Sequence, residues 1–344
     1  MLPLPLIIVA NSAVGKPWAV HAAGILAGLT SGATFLFGAI YFAGVLGPPS
    51  PGVSPAPIGI GLMVTSAVAA LVAANPFRTR IAHLLSLDPD NPVHALALAL
   101  AVILFGSQVT LVFFTNVLAA DQAQPPLTVL DLLAQELPFL IIAVTGVGLF
   151  IRRNGAETAV RLGVVTPIWW QITLALAAAG VFFAFAQGVD ALSHSWTPGV
   201  AHQIDTTTQH VFGGLNNPAG IAAIAILPAI CEEILFRGAI QPRLGLVVGA
   251  LLFTSIHTQY SVSFDTLAVF ILALGLGVIR KYTNTTTSSI CHATYNLTVS
   301  IGVGSQFLGF AIAAELALVL LTAYALWSIR RRLAAATNPT GGGS

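Results

Sequence analysis

Three charged residues lie inside a stretch of sequence that is otherwise apolar enough for the interior of a lipid bilayer. Residues 231–240 read CEEILFRGAI, and the apolar runs AGIAAIAILPAI and LGLVVGALLF stand on either side. Glu233 and Arg237 are four residues apart, so on a helix they share a face and can pair. Ionisable residues inside a membrane are rare and usually functional. The pair therefore predicts either a functional site or a buried link between helices.

Glu232 has a different environment from Glu233, because adjacent residues on a helix are rotated by about 100°. Its neighbours one turn away, such as Leu235 and Phe236, are apolar. A carboxylate among apolar groups, with no cation on its own face, can act as a proton acceptor. The sequence therefore predicts Glu232 as a general base and Glu233 as the structural partner of Arg237.

Two further polar motifs follow in apolar surroundings. FTSIH contains Phe253 and His257, and HATYN contains His292 and Asn296. His292 and Asn296 share a helical face, and both side chains can donate hydrogen bonds, as the stabilisation of an oxyanion requires. Phe253 can orient the His257 ring by packing.

The polar residues of the three motifs have similar calculated depths in a bilayer. Arg243 and Lys281 mark the basic end of their helices. With about 1.5 Å of rise per residue, Glu232 and His292 lie about 16 Å, and His257 about 21 Å, beyond these markers. All three depths fall near the middle of a hydrocarbon core of about 30 Å. We therefore expect the three motifs to form one site.

The composition predicts an all-α, polytopic membrane bundle. Of 344 residues, 56% are hydrophobic and only 7% are charged, whereas soluble domains carry about 25% charged residues. A net charge of +1 gives no basic footprint for nucleic acid. We expect about eight to ten transmembrane helices. The apolar runs lie near 19–46, 58–75, 93–119, 127–151, 165–187, 217–236, 245–263, 265–280, 285–304 and 306–328.

The basic residues predict the orientation of these spans. With the N-terminus in the cytoplasm, all Lys and Arg residues fall on or near the inner side, so both termini are predicted to be cytoplasmic. The alanine-rich composition favours a bacterial inner membrane. The long polar connection at 188–216 is predicted outside, with room for a short interfacial helix. Its three histidines, His194, His202 and His210, are expected to be solvated, because their spacing of eight does not keep them on one face.

Taken together, the motifs resemble those of the CPBP family, the type II CAAX prenyl endopeptidases and bacteriocin-processing (Abi) proteins. The resemblance covers about residues 165–305 and is carried by E-E-x-x-x-R, F-x-x-x-H and H-x-x-x-N in order. It implies an intramembrane glutamic endopeptidase whose site opens to the cytosol. By this resemblance, the catalytic residues are Glu232, His257, His292 and Asn296, and the supporting residues are Glu233, Arg237 and Phe253. Glu232 and His257 would activate a water, and the other catalytic pair would form the oxyanion hole.

The resemblance also divides the chain. Residues 1–160 are predicted to be an N-terminal membrane extension of about four spans, and 161–305 the catalytic membrane domain. Residues 306–333 form a last span, and 334–344 a disordered tail whose GGGS ending is typical of a cloning remnant. The expected substrate is a membrane peptide or lipidated protein, prenylated or bacteriocin-like, and no cofactor is expected.

Several alternatives remain open at this point. Glu232, His257 and His292 could ligate zinc in a metal-dependent intramembrane protease, although the H-E-x-x-H helix is absent. The buried charges could instead serve a transporter or a non-catalytic scaffold. Two other membrane glutamates lack polar company in the sequence: Glu136 is expected to face the bundle interior, and Glu315 has no explanation.

Overall fold

The computed structural model describes residues 3–45 and 54–337, and within these ranges the chain forms helices and no β-strand. In chain order the helices are α1 Leu4–Ala13, α2 Ala19–Phe42, α3 Pro55–Ala73, α4 Asn75–Ala82, α5 Pro92–Phe114, α6 Val117–Gln122, α7 Val129–Gly146, α8 Gly155–Leu162, α9 Trp169–Trp196, α10 Pro198–Phe212, α11 Pro218–Glu232, α12 Gln241–Leu244, α13 Leu246–Ser255, α14 Phe264–Tyr282, α15 Thr285–Ile301 and α16 Leu308–Thr337. A π-helical segment, Glu233–Ile240, joins α11 to α12. Residues 338–344 of the predicted tail lie outside the described ranges.

The helices confirm the predicted polytopic membrane bundle. In the described residues, seven helices are long and apolar enough to cross a bilayer. One of them is Pro218–Leu244, which consists of α11, the π segment and α12 in continuous succession and carries the first motif. Helices occupy all ten predicted positions, but α13, α14 and α15 do not meet the same criterion. α13 has only 10 residues because the chain turns before His257, and α15 has 17 residues and begins with a run of threonine and serine.

The predicted outer connection at 188–216 is largely helical. α9 continues beyond its predicted end to Trp196, and α10 forms the short helix for which the sequence leaves room. His194 is tied to both helices, because its Nε2 lies 2.9 Å from Asp205 and its Nδ1 lies 2.9 Å from the carbonyl oxygen of Asp190. His194 is exposed, as expected, and it also links α9 to α10.

α7 and α11 begin at the same end of the bundle and run side by side. The Leu127 N–H, just before α7, donates to the Val211 carbonyl at 2.8 Å, shortly before α11. Gly214 lies against the Leu127 carbonyl so closely that a Cβ would clash with it. Thr128 caps α7 and Asn217 caps α11. The two helices therefore enter the bundle in parallel from adjacent starting points.

A single apolar core joins the N-terminal extension to the motif segment. Leu98 of α5 and Ala143 of α7 pack with Phe236 of the π segment and Phe253 of α13 in one buried cluster. The predicted division at residue 160 thus separates segments of the sequence that share one core. In consequence, α5 and α7 are positioned to contribute side chains to the site.

The last helix accounts for Glu315. α16 packs against α9, and the carboxylate of Glu315 occupies the space where Gly180 has no side chain. A Cβ at position 180 would meet this carboxylate. Gly180 therefore provides the room in which a polar group of α16 is accommodated.

Candidate active site

The centre of the site is the π-helical segment that carries Glu233 and Arg237. The Gln241 N–H bonds to the Phe236 carbonyl five residues earlier, the pattern of a π-helix. Glu233 and Arg237 still meet across one turn, with Arg237 Nε 3.4 Å from Glu233 Oε2 and both side chains 0% exposed. The predicted pair therefore forms, although on a wider helical turn than the α-helix that the sequence predicts. Such π segments often occur at functional sites.

Glu233 also connects this segment to α15. The Ser288 hydroxyl donates to Glu233 Oε2 at 2.7 Å, and His292 Nδ1 lies 3.4 Å from Glu233 Oε1. Asn284 caps α15 by accepting a hydrogen bond from the Thr287 N–H. The buried carboxylate of Glu233 thus contacts Arg237 on its own helix and both Ser288 and His292 on α15.

The Phe253 ring is the contact point of the three motifs. The Arg237 guanidinium carbon lies 4.6 Å from the ring centroid, a cation–π arrangement. The centroids of the His257 and His292 rings are 4.7 Å and 5.8 Å away, and Phe236 packs edge-on at 5.5 Å. Phe253 itself is 3% exposed. Its position is consistent with the predicted packing role.

His257 lies just after α13 and not within it. The helix ends at Ser255, and His257 Nδ1 lies 2.9 Å from the Phe253 carbonyl oxygen. Because a carbonyl only accepts hydrogen bonds, Nδ1 carries the proton in this contact and the neutral ring has its lone pair on Nε2. The helix end therefore selects the tautomer in which Nε2 can accept a proton.

Asn296 compensates for a proline in α11. Pro228 has no N–H, so the Ile224 carbonyl one turn earlier lacks its usual helical donor. Asn296 Nδ2 donates to this carbonyl at 3.3 Å. A carboxamide nitrogen carries two hydrogens, so one remains for another acceptor. Asn296 therefore also links α15 to α11.

Glu232 is buried in a different way from Glu233. It is 4% exposed, and its Oε2 has no hydrogen-bond partner among the described residues. The same is true of Glu136, which is 6% exposed on α7, the helix that packs against α11. The prediction that Glu136 faces the interior is confirmed. Its proximity to Glu232 had no signal in the sequence, because the two residues lie on distant segments.

A cavity of about 90 Å³ opens beside the motifs. His257, His292 and Asn296 line it, together with Tyr260 and Tyr295, whereas Glu232 is not among the lining residues. The Tyr260 ring lies parallel to the His257 ring at a centroid distance of 6.5 Å. Neither tyrosine is among the site residues that the motifs predict. The spacing of three residues between His292 and Tyr295 is a helical-face signal that could have indicated one of them.

A larger cavity of about 400 Å³ adjoins the first. It lies between α5, α13 and α14, and its lining is mostly apolar, with Val109, Phe113 and Phe270 as examples. His257 lines this cavity as well as the smaller one. The apolar groove, as we call the larger cavity, therefore connects the N-terminal extension to the motif residues.

A zinc site at the motifs would require the side-chain ligand atoms of Glu232, His257 and His292 to lie close together. Among the described residues, only Asp190, His194 and Asp205 bring three potential ligand atoms within 4.8 Å of one another. Glu232, His257 and His292 do not form such a group, and the Nδ1 atom of each histidine faces another protein group. The arrangement of these three residues does not match a preformed zinc site.

The fold and the site define a polytopic helical membrane protein with a buried centre of glutamate, histidine, arginine and asparagine side chains. Residues 214–298 match the family model described as "Type II CAAX prenyl endopeptidase Rce1-like". This match includes all three motifs and confirms the predicted resemblance to the CPBP family, a family of membrane peptide hydrolases. No curated protein and no solved structure matches the chain.

Proposed function

We propose that this protein is an intramembrane endopeptidase that hydrolyses a peptide bond of a membrane-associated substrate with a water activated by Glu232. The observation that carries the proposal is the convergence of His257, His292 and Asn296 on one small cavity, next to the segment that carries Glu232, a buried glutamate whose Oε2 has no hydrogen-bond partner among the described residues. A carboxylate and an unprotonated imidazole nitrogen supply proton acceptors, and the other two side chains supply donors.

In the proposed reaction, Glu232 takes a proton from water while His257 Nε2 accepts a hydrogen bond from it. The resulting hydroxide attacks the scissile carbonyl, and His292 and Asn296 donate to the developing oxyanion. The proton on Glu232 then passes to the departing amine nitrogen, and the carboxylate is regenerated. Glu232 is not among the residues that line the cavity, so in the proposed reaction its carboxylate moves toward the cavity when the substrate binds.

The contact between Glu233 and His292 supports the oxyanion role. A neutral imidazole that donates from Nδ1 to a carboxylate has no proton left on Nε2. Glu233 Oε1, 3.4 Å from His292 Nδ1, fixes the orientation of the ring, and the proposed oxyanion role requires a proton on Nε2. The Arg237–Glu233 pair and the His292 ring therefore act as one electrostatic unit.

The proposal is tested with purified protein in liposomes that contain a membrane peptide substrate. We expect the wild type to cleave the peptide and His257→Ala to lose cleavage, because the nitrogen that orients the water is removed. Proton-coupled flux without any cleavage would favour the transporter alternative, and stable binding of a partner that is never cut would favour the scaffold.

The dual role of Asn296 gives a prediction that separates structure from catalysis. Asn296→Ala leaves the Ile224 carbonyl unpaired, which costs about 1–3 kcal/mol of stability, and removes an oxyanion donor, which costs about 2.7–4 kcal/mol in the barrier. Adding Pro228→Ala restores an N–H to the Ile224 carbonyl. We expect the double variant to recover the melting temperature but not the activity. Recovery of both would show that Asn296 acts only as a link between helices.

The apolar groove supports a substrate that lies partly in lipid. The surface that it exposes is almost entirely apolar, although polar side chains such as Gln108, Thr254 and Thr266 also line it, and it reaches the site at His257. We propose that the membrane-embedded part of a peptide, or the lipid chain of a modified protein, lies there with the scissile bond at the smaller cavity. α5 would then contribute to substrate selection from outside the segment that matches the family model.

Filling the apolar groove should weaken substrate binding more than the chemical step. Val109→Trp places a large ring in it, and we expect a higher KM with kcat nearly unchanged, because the motif residues are untouched. The matched control is Val319→Trp on α16, at a position of similar exposure (37% and 40% for the two valines) outside this cavity. Equal Michaelis constants for the two variants would argue against substrate binding in the groove.

We propose that the reaction needs no metal, and that the protein lies in a bacterial inner membrane with both termini in the cytoplasm. The orientation is supported by a cluster of basic residues near the end of the site helices. The pKa of Arg161 is lowered to about 10, mainly because this residue is partly buried and also because the positive charges of Arg243 and Arg153 are close to it. Arg280 adds to this cluster. Concentrated positive charge at one end of a bundle is typical of the cytoplasmic side.

A further inference from the structure

Glu136 is a buried carboxylate that the proposed reaction does not use. It belongs to α7, outside the segment that matches the family model. It is 6% exposed, and its Oε2 has no hydrogen-bond partner among the described residues. A buried polar atom without a partner costs free energy, so its retention calls for a physical explanation.

One aromatic contact between α7 and the π segment places Glu136 opposite Glu232. Phe139, one turn after Glu136 on α7, packs against Phe236, one turn after Glu232, with ring centroids 6.0 Å apart. Because the two helices begin at the same end and run in parallel, the residues one turn earlier also face each other across the helix contact. The repulsion between the charges of Glu136 and Glu232 agrees with this placement.

The charges around the two carboxylates do not allow both to be ionised easily. The other charged groups that face Glu232 are Glu233 and Arg237, and these two pair with each other. Cys231 also lies near Glu136, and Tyr260 lies near Glu232, but both are neutral groups at ordinary pH. Two buried carboxylates in such a position share one proton, because adjacent anions repel in a medium of low dielectric constant.

We propose that Glu136 carries this shared proton and donates it in a hydrogen bond to the carboxylate of Glu232. Glu136 is thereby a positioning residue, which orients Glu232 and keeps it ionised as the base. The inference rests on the proposed function, since it explains how Glu232 remains a proton acceptor. It assigns to the N-terminal extension a direct part in the site.

Infrared spectroscopy tests the proton directly and without a substrate. All samples carry Glu315→Gln, so that this second membrane glutamate gives no carboxyl signal. We expect a band of a protonated carboxyl group at neutral pH, loss of the band in Glu136→Gln, and its retention in Glu136→Leu. In the first variant the amide replaces the donor and Glu232 stays ionised, whereas in the second Glu232 has no donor and takes up a proton. A band that persists unchanged in Glu136→Gln would overturn the proposal.

Kinetics provide the second measurement. Glu136→Leu should lower kcat about 10–100-fold at neutral pH, leave KM unchanged, and move the acidic limb of the pH–rate profile to higher pH. Glu136→Gln should retain most of the activity. Wild-type kcat and pH profile in Glu136→Leu would overturn the positioning role. Glu232→Gln is measured in parallel. If Glu232→Gln cleaves at the wild-type rate, the proposed function fails. If Glu232→Gln is inactive but the Glu136 variants behave as wild type, only the role of Glu136 fails.

Discussion

Replacement of Glu232 by glutamine should lower kcat about 10²–10⁴-fold, the range typical of a lost general base. The amide has almost the same shape as the carboxylate but cannot accept a proton from water. Because Glu232 forms no ion pair within the part of the chain that the structure describes, the substitution should leave the fold intact, and the melting temperature in detergent should stay near that of the wild type. The measurement is the cleavage rate of a membrane peptide under saturating conditions.

The matched control for this prediction is Glu315→Gln. It makes the same chemical change at a membrane glutamate that contacts α9 near Gly180 and lies outside the cavity beside the motifs. We expect this control to cleave at the wild-type rate. Equal rates for the two variants would remove Glu232 from the mechanism and with it the proposed activation of water.

Replacement of Arg237 by methionine should have the largest effect on stability. Arg237 and Glu233 are both 0% exposed and form an ion pair at 3.4 Å. Removing one member of a buried pair leaves an uncompensated charge and typically costs about 3–5 kcal/mol. The loss of the cation over the Phe253 ring adds to this cost. We expect a strongly lowered melting temperature in detergent and little folded protein.

The double variant Glu233→Gln with Arg237→Met is the control for this effect. It removes both charges, and replacement of a buried pair by neutral groups is often nearly neutral for stability. We expect the double variant to regain much of the melting temperature, while its activity stays low because His292 has lost its carboxylate partner. If Arg237→Met alone melts like the wild type, the pair does not stabilise the site.

The fold class could be predicted from the sequence because apolar runs of the required length are a direct consequence of the bilayer. The meeting of the three motifs could also be predicted, since Glu232, His257 and His292 had similar calculated depths. The exact ends of the helices could not be predicted. α13 ends before His257 because the ring of this residue bonds the Phe253 carbonyl, and the spacing of F-x-x-x-H is equally compatible with a continuous helix.

Other parts of the site depend on contacts between distant segments. The contact of Asn296 with the Ile224 carbonyl has its cause in Pro228. The sequence contains both residues but does not say which side chain satisfies the freed carbonyl. Glu136 was recognisable as an interior residue, yet its partner could be identified only from the packing of Phe139 against Phe236.

The most direct test of the central claim is mass spectrometry of membrane peptides incubated in liposomes with metal-stripped wild-type protein or with Glu232→Gln. The substrate need not be identified beforehand, because cleavage of any peptide in the mixture creates new termini. The proposed mechanism predicts new termini with the wild type in the presence of a chelator and none with Glu232→Gln. New termini produced equally by both proteins, or only after zinc is restored to the wild type, would contradict it.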